Sequence, residues 1–319
     1  MRITRFRKIV DVALILSLVV VMLGAYTRLT NAGLGCPDWP GCYGHLVFKA
    51  HHEALSVTQA KYGIAPIEPQ KAWTEMLHRY AAGTLGLLIF FIGFQTLKRR
   101  LKQSNTPWFF ATFLMVLVVF QALLGMWTVT LKLLPIVVMA HLLGGILIFS
   151  CLACLRGQFT SSLTPPLSGW RLAIGLGVFI VFCQIALGGW VSANYAGISC
   201  VGFPQCNGLW LPRLYFAEGF TLFSPLGENY QGGLLEHTIR VTIQYIHRLG
   251  ALLTATYLIV LSSLLLKKVA IPRIRILALL ILLVSFLQFS VGIINVLFQL
   301  PLVAAVAHNG LAALLWPWC

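Results

Sequence analysis

Of 319 residues, 59% are apolar and only 10% charged, with a mean hydropathy of +0.86; soluble domains run near a quarter charged, so a water-soluble fold is excluded. The formal charge of +15 does not mark a nucleic-acid binder, because the basic residues sit between apolar runs instead of clustering on a soluble surface. Lys and Arg gather in this way in the cytoplasmic loops of membrane proteins.

The chain opens on Arg2, Arg5, Arg7 and Lys8, then runs apolar from Ile9 to Ala25. A signal peptide shares that plan, but this run is too long and lacks a small-residue cleavage site, so it reads as a retained first span. Windows of about 20 apolar residues, enough to cross a bilayer core, fall at 9–27, 78–97, 108–130, 136–155, 170–193, 244–266, 274–298 and 302–316. The eighth is the shortest and ends in Trp316-Pro-Trp-Cys, aromatics suited to a membrane interface. Lys98, Arg99, Arg100 and Lys102, then Arg156 and Arg171, then Lys267, Lys268, Arg273 and Arg275 fall on the side of the basic N-terminus. That side is cytoplasmic by the positive-inside rule, and both termini are expected there. All acidic residues except Asp11 lie on the other side, mainly in long loops at 28–77 and 194–243.

An internal repeat relates the two halves. The stretch Leu23 to Cys42 aligns with Leu187 to Cys206 at a constant offset of 164, matching Gly24 with Gly188, Ala32 with Ala196, Gly33 with Gly197, Pro40 with Pro204 and both cysteine pairs. Further on, His78-Arg79 answers His247-Arg248, Gln121 and Gly125 answer Gln288 and Gly292, and His141 answers His308. Four spans per half insert with one orientation, which predicts a parallel repeat about an axis along the membrane normal. The fold class is therefore an all-α integral membrane protein of eight transmembrane helices, arranged as two pseudo-symmetric four-helix bundles at 1–160 and 161–319.

Four of the eight histidines occupy repeat-related positions at the outer ends of spans two, four, six and eight. An ionisable residue in a span is costly and marks function by default. His78 and His247 are read as beginning helices that run inward, with His141 and His308 about one and a half turns inside theirs, so all four share one depth near the outer face. Paired imidazoles on separate helices of a bundle suit a bis-histidine haem; a histidine hydrogen-bonded across helices is the plainer alternative. His45, His51, His52 and His237 lie in outer loops and read as solvated.

Each half also carries a Cys-x5-Cys on the oxidising side, where disulfides persist. Cys36–Cys42 and Cys200–Cys206 read as loop staples, with a redox-active thiol pair as the sharper alternative. Cys151, Cys154 and Cys183 read as helix packing. The repeat fails at one informative place: Glu75 stands three residues before His78, whereas Gln244 stands three before His247. A carboxylate beside a haem can move protons, stabilise a developing cation or capture it, and an amide cannot. A first-turn Glu favoured by the helix dipole is the bland counterpart. The asymmetry predicts a catalytic N-terminal half and a C-terminal half holding a permanent haem. Arg28, Arg79 and Arg248 can pair haem propionates or simply snorkel to the interface.

Gly24-Ala-Tyr-Thr-Arg-Leu-Thr-Asn-Ala-Gly-Leu, Cys36-Pro-Asp-Trp-Pro-Gly-Cys42, Glu75-x-x-His78-Arg79, His141, His247-Arg248 and His308 together resemble the haem A synthase family, CtaA and its mitochondrial relatives, over nearly the whole chain. The resemblance implies haem b between His247 and His308 and the substrate haem O between His78 and His141. It implies oxidation of the C8 methyl group of haem O by successive hydroxylations, loss of water then leaving the formyl group of haem A, for cytochrome c oxidase assembly. The family's essential carboxylate maps onto Glu75 and its loop cysteine pair, which some relatives lack, onto Cys36 and Cys42. The expected setting is the bacterial cytoplasmic membrane, with haem sites near the periplasmic side and an external electron donor. Expected partners are membrane lipid, haem O synthase and oxidase assembly factors, with a homo-oligomer left open and nucleic acid excluded.

Overall fold

The computed structural model describes residues 3–47, 68–101, 108–158 and 168–316; Arg2, His51, His52 and Lys102 lie outside that set. Among the described residues, seven helices are long and apolar enough to cross a membrane: α1 (Ile3–Leu29), α2 (Pro69–Arg100), α3 (Trp108–Thr130), α4 (Pro135–Gln158), α5 (Arg171–Ala193), α6 (His237–Lys268) and α7 (Pro272–Leu297). A shorter apolar helix, α8 (Leu302–Leu315), follows. The chain is a multi-pass integral membrane protein. In lipid a helix satisfies its own backbone, and large apolar side chains such as Leu87, Phe94, Val116, Leu172 and Phe286 are exposed along these helices. Buried hydroxyls bond back onto their own helix: Thr27 donates to the Leu23 carbonyl at 2.9 Å, Thr96 to Ile92 at 2.7 Å and Ser150 to Ile146 at 3.0 Å, which disposes of a donor that lipid cannot satisfy.

Helices α2 and α6 begin well before the apolar windows at 78 and 244. Pro69 stands in the first turn of α2, where its fixed φ suits a helix start and its missing N–H costs nothing. The turns that follow carry Gln70, Lys71, Thr74 and Glu75, and those of α6 carry His237, Arg240 and Gln244. These polar turns belong to the helices but not to the apolar windows. His78 and His247 therefore do not begin their helices; each lies more than two turns in. Glu75 is likewise in the second turn, where the pull of the helix dipole has fallen off.

The chain forms two compact units, Met1–Leu155 with Phe223–Gln231, and Arg156–Leu222 with Gly232–Cys319. In the first, α1 packs on α2 and α2 on α3. Lys132 and Leu133 turn the chain from α3 to α4 with positive φ. The short segment Phe223–Gln231 lies on that turn: the Tyr230 N–H donates to the Lys132 carbonyl at 3.0 Å, Lys132 Nζ to Gly227 at 3.1 Å, and the Gln231 amide to Asn31 at 3.2 Å. Tyr230 is buried with Leu133 and Leu134. In the second unit α5 packs on α6, α6 on α7 and α7 on α8, and Gln299 and Leu300 turn the chain from α7 to α8 with the same positive-φ pair. A single helical turn, Phe216–Gly219, is tied down by Trp190 Nε1 to the Gly219 carbonyl at 2.8 Å and by the Tyr215 N–H to Thr242 Oγ1 at 2.9 Å.

Candidate functional site

Within the first unit the rings of His78 on α2 and His141 on α4 meet with centroids 6.4 Å apart and planes at 82°. Two residues far apart in sequence thus face one another across the unit. In the second unit His247 on α6 and His308 on α8 lie close enough to interact electrostatically.

Each of the four imidazoles is seated against a glycine of a neighbouring helix. A Cβ on Gly24 of α1 would come within 3.0 Å of His78 Cε1; one on Gly125 of α3, Gly188 of α5 or Gly292 of α7 would come within 3.2 Å of Cε1 of His141, His247 or His308 respectively. Small residues let membrane helices approach closely; here they clear a berth for a ring. One turn before three of these glycines stands a glutamine. Gln121 Nε2 donates to the His141 carbonyl at 2.7 Å, Gln184 Nε2 to the His247 carbonyl at 3.0 Å while lying 3.1 Å from His247 Nδ1, and Gln288 Nε2 lies 3.3 Å from His308 Nε2. The equivalent residue before Gly24 is Val20.

Glu75 is 4% exposed and fully engaged. Its Oε2 accepts the Cys36 N–H at 2.8 Å, and its Oε1 pairs with the Arg79 guanidinium one turn on. Arg79 Nη1 in turn donates to the carbonyls of Asp38 at 2.9 Å and Gly41 at 2.5 Å. Cys36 and Cys42 stand at bonding distance, with Cα atoms 4.8 Å apart, and the Asp38 carboxylate caps the far end by accepting the N–H groups of Tyr43 at 2.6 Å and Gly44 at 2.8 Å. Burial, and after it the negative charge of Glu75, push the Tyr43 phenol above its ordinary pKa, so this ring stays protonated. The disulfide loop, the carboxylate and the arginine form one polar assembly at the start of α2.

The second unit repeats the clamp without the charge. Arg248 Nη1 donates to Gly202 at 2.9 Å and Gln205 at 3.2 Å, and its Nη2 to the Cys200 carbonyl, while Cys200 and Cys206 lie with Cα atoms 4.9 Å apart. Gln244 is 5% exposed, and its Oε1 finds no hydrogen-bond partner among the described residues. Both arginines thus carry a loop-holding task that the motif alone did not disclose. Arg28 closes the last turn of α1. Of the loop histidines, His45 bridges back to Cys42 through the backbone and His237 opens α6.

Arg79→Gln should destabilise the protein by about 3 kcal/mol, since removing one partner strands a buried carboxylate. Arg248→Gln forfeits only hydrogen bonds to carbonyls and should cost about 1–2 kcal/mol. Thermal unfolding of the two variants in detergent, followed side by side, checks the difference; equal losses would mean that the Glu75 pairing contributes nothing.

The sequence repeat pairs Gln121-x-x-x-Gly125 with Gln288-x-x-x-Gly292. Gln184-x-x-x-Gly188 has the same spacing, and that spacing was the available signal for Gln184. The family described as Cytochrome oxidase assembly protein (COX15-CtaA) matches residues 7–319. The chain is 43% identical over 309 residues to a Heme A synthase of Shewanella oneidensis, covering 95% of this chain and 91% of that one. It is 28% identical to a Heme A synthase of Allorhizobium ampelinum, over 93% of this chain and 83% of the relative, and 24% identical to one of Shouchella clausii, over 76% and 70%. With nearly its full length matched, the chain belongs to the COX15-CtaA family of cytochrome oxidase assembly proteins.

Proposed function

We propose that this protein is a haem A synthase, converting haem O to haem A for cytochrome c oxidase, with the substrate bound by His78 and His141 and a permanent haem b by His247 and His308. The observation that carries the reading is the buried, ion-paired Glu75 one turn from His78, where the other unit has the uncharged Gln244. The architecture proposed with it is eight spans, α8 being the last, in two four-helix bundles at 1–160 and 161–319. The recurrent glycine berths, loop clamps and positive-φ turns of the two units support it.

The histidines fit such a ligand. The ring centroids of His78 and His141 stand 6.4 Å apart, a separation at which both imidazoles could reach one metal ion through nitrogen bonds of about 2 Å. Among the described residues the Nδ1 atoms of His78, His141 and His308 are buried with no hydrogen bond of normal geometry, and buried imidazoles are costly in a membrane unless a ligand engages the ring. His247 and His308 would hold haem b, which when bound would supply electrons from an external donor.

Glu75 then acts at the substrate's edge. Its charge is pinned by Arg79 and by the Cys36 N–H, so it cannot swing away. A fixed carboxylate at that place stabilises positive charge developing on the oxidised methyl group and takes up the proton released. Two successive hydroxylations, each replacing a C–H bond by C–OH at the expense of an external oxidant, give a geminal diol, and loss of water leaves the formyl group. The site lies toward the periplasmic side of the bacterial cytoplasmic membrane, with both termini cytoplasmic. Haem O synthase and oxidase assembly factors are the partners, and Arg28 remains a candidate for a propionate.

Pigments extracted from the purified protein should contain haem b together with haem O and haem A. Haem b alone would instead indicate a di-haem electron carrier and end the synthase reading.

A further inference from the structure

The arginines that follow the α2 and α6 histidines are spent on loop carbonyls, so the carboxylates of a haem in the second unit need another partner. Both Nη groups of Arg248 are engaged, and as the next residue after His247 it lies about 100° away from that ligand round α6. Arg240 is placed differently. It precedes His247 by seven residues, two turns of helix to within about 20°, so it stands on the same face as the imidazole and about 10 Å nearer the outer end. Arg240 is half-buried, and its Nε is buried without a hydrogen-bond partner among the described residues. No carboxylate there pairs with its guanidinium, Glu236 four residues earlier included.

A buried donor on a cation is costly to leave unpaired. An arginine that merely snorkels carries its whole head into water, whereas here the Nε–H is withdrawn from it. That N–H and the adjacent Nη–H form a fork that grips a carboxylate with two parallel bonds. The first unit treats the matching position otherwise. Lys71 stands seven residues before His78, on the same face, but a lysine offers a point charge and no fork, and its Nζ already donates to Glu68 at 2.7 Å. The positions of Glu68 and Glu75, one turn either side of Lys71, are occupied by His237 and Gln244 in the second unit, so the acids that would compete with an anionic ligand there are gone.

From this, and resting on the reading above that His247 and His308 hold a permanent haem b, we propose that Arg240 anchors a propionate of that haem, gripping it through Nε and Nη. Anchor and axial ligand lie on one face of one helix, so a single rigid element fixes the haem at its iron and at its rim. Lys71, shared with Glu68, gives the haem of the first unit a weaker hold, as a substrate that must leave requires.

The test follows haem loss from the purified protein to excess soluble apo-globin, the pigment remaining being identified by extraction over time. Arg240→Gln should lose haem b about tenfold faster than wild type. Arg240→Lys, which keeps the charge without the fork, should fall between, and the loss of haem O and haem A should be unchanged in both. Arg213→Gln, which removes a cation lying over the Tyr215 ring in the same unit, should behave as wild type. A second measurement separates carboxylate binding from a merely structural role: protein stripped of haem b is reloaded with haem b or with its dimethyl ester, whose carboxylates are blocked. Wild type should hold haem b about tenfold longer than the ester, and Arg240→Gln should hold the two alike. Haem b loss from Arg240→Gln at the wild-type rate, or a wild type that holds ester and haem b equally, would overturn the proposal and leave the synthase reading intact. Should Arg240→Gln yield no folded protein, Arg240→Lys takes its place, and haem b loss from it at the wild-type rate overturns the proposal. Wild type purified without haem b would overturn both.

Discussion

Glu75→Gln should lower haem A formation by about two to four orders of magnitude, the range over which a positioned proton-transfer group contributes. Haem O or a hydroxylated intermediate should accumulate, and haem b should remain. The substitution is isosteric, and the second unit shows that the setting tolerates an amide: Gln244 is as buried as Glu75, 5% against 4% exposed. The glutamine oxygen can still accept the Cys36 N–H. What disappears is the negative charge facing Arg79 and the substrate, so a fall in rate with both haem sites still filled would locate the effect in the chemistry. Pigment extraction from cells and from the purified variant reads all of these together. Haem A made at the normal rate would remove Glu75 from the mechanism. The reciprocal Gln244→Glu should give no second catalytic site, because Gln244 lies in the unit proposed to hold the permanent haem and not the substrate.

The second large effect concerns a residue with no side chain. Gly188→Leu should abolish haem b binding, because even a Cβ there would approach His247 Cε1 to 3.2 Å, and a full leucine must displace the ring or part the helices. Gly175 provides the control on the same helix, α5. A Cβ on it meets nothing within 4 Å, so Gly175→Leu should retain haem b. The absorbance of bound haem per protein, measured for the two variants, separates loss of the berth from any general effect of leucine in α5. Full haem content in Gly188→Leu would show that the ring has another seat. Overpacking elsewhere in a core typically costs 1–3 kcal/mol; here the cost falls on a ligand, so binding should fail before folding does.

The spans were legible because lipid imposes a simple rule on composition, and windows such as 108–130 coincide with α3, Trp108–Thr130. The starts of α2 and α6 were not, because Gln70, Lys71 and Thr74, or Arg240 and Gln244, are helical without being apolar, and a hydropathy window registers only the second property. The same blindness made Glu75 resemble a first-turn residue. Which residues would cluster was readable from duplication: the glycines, histidines and cysteines stand at matched positions because they do matched work. The role of Arg79 was not readable. A guanidinium beside a predicted haem suggests a propionate contact, and only coordinates reveal that its donors go to the carbonyls of Asp38 and Gly41 and to Glu75. Gln184 escaped notice for a different reason. Its counterpart Val20 breaks the repeat, and a search for identities passes over the positions where the halves differ.

The segment Phe223–Gln231 has a consequence for how the protein is made. By packing it belongs to the unit that otherwise ends at Leu155, yet the ribosome reaches it only after the whole of α5 has been synthesised. The carbonyls of Lys132 and Asn31 therefore wait for Tyr230 and Gln231. The first unit, although translated first, cannot close its outer surface over Leu133 and Leu134 until synthesis has passed residue 231. Halves produced as separate polypeptides divided after Leu155 would leave the first of them without this cover.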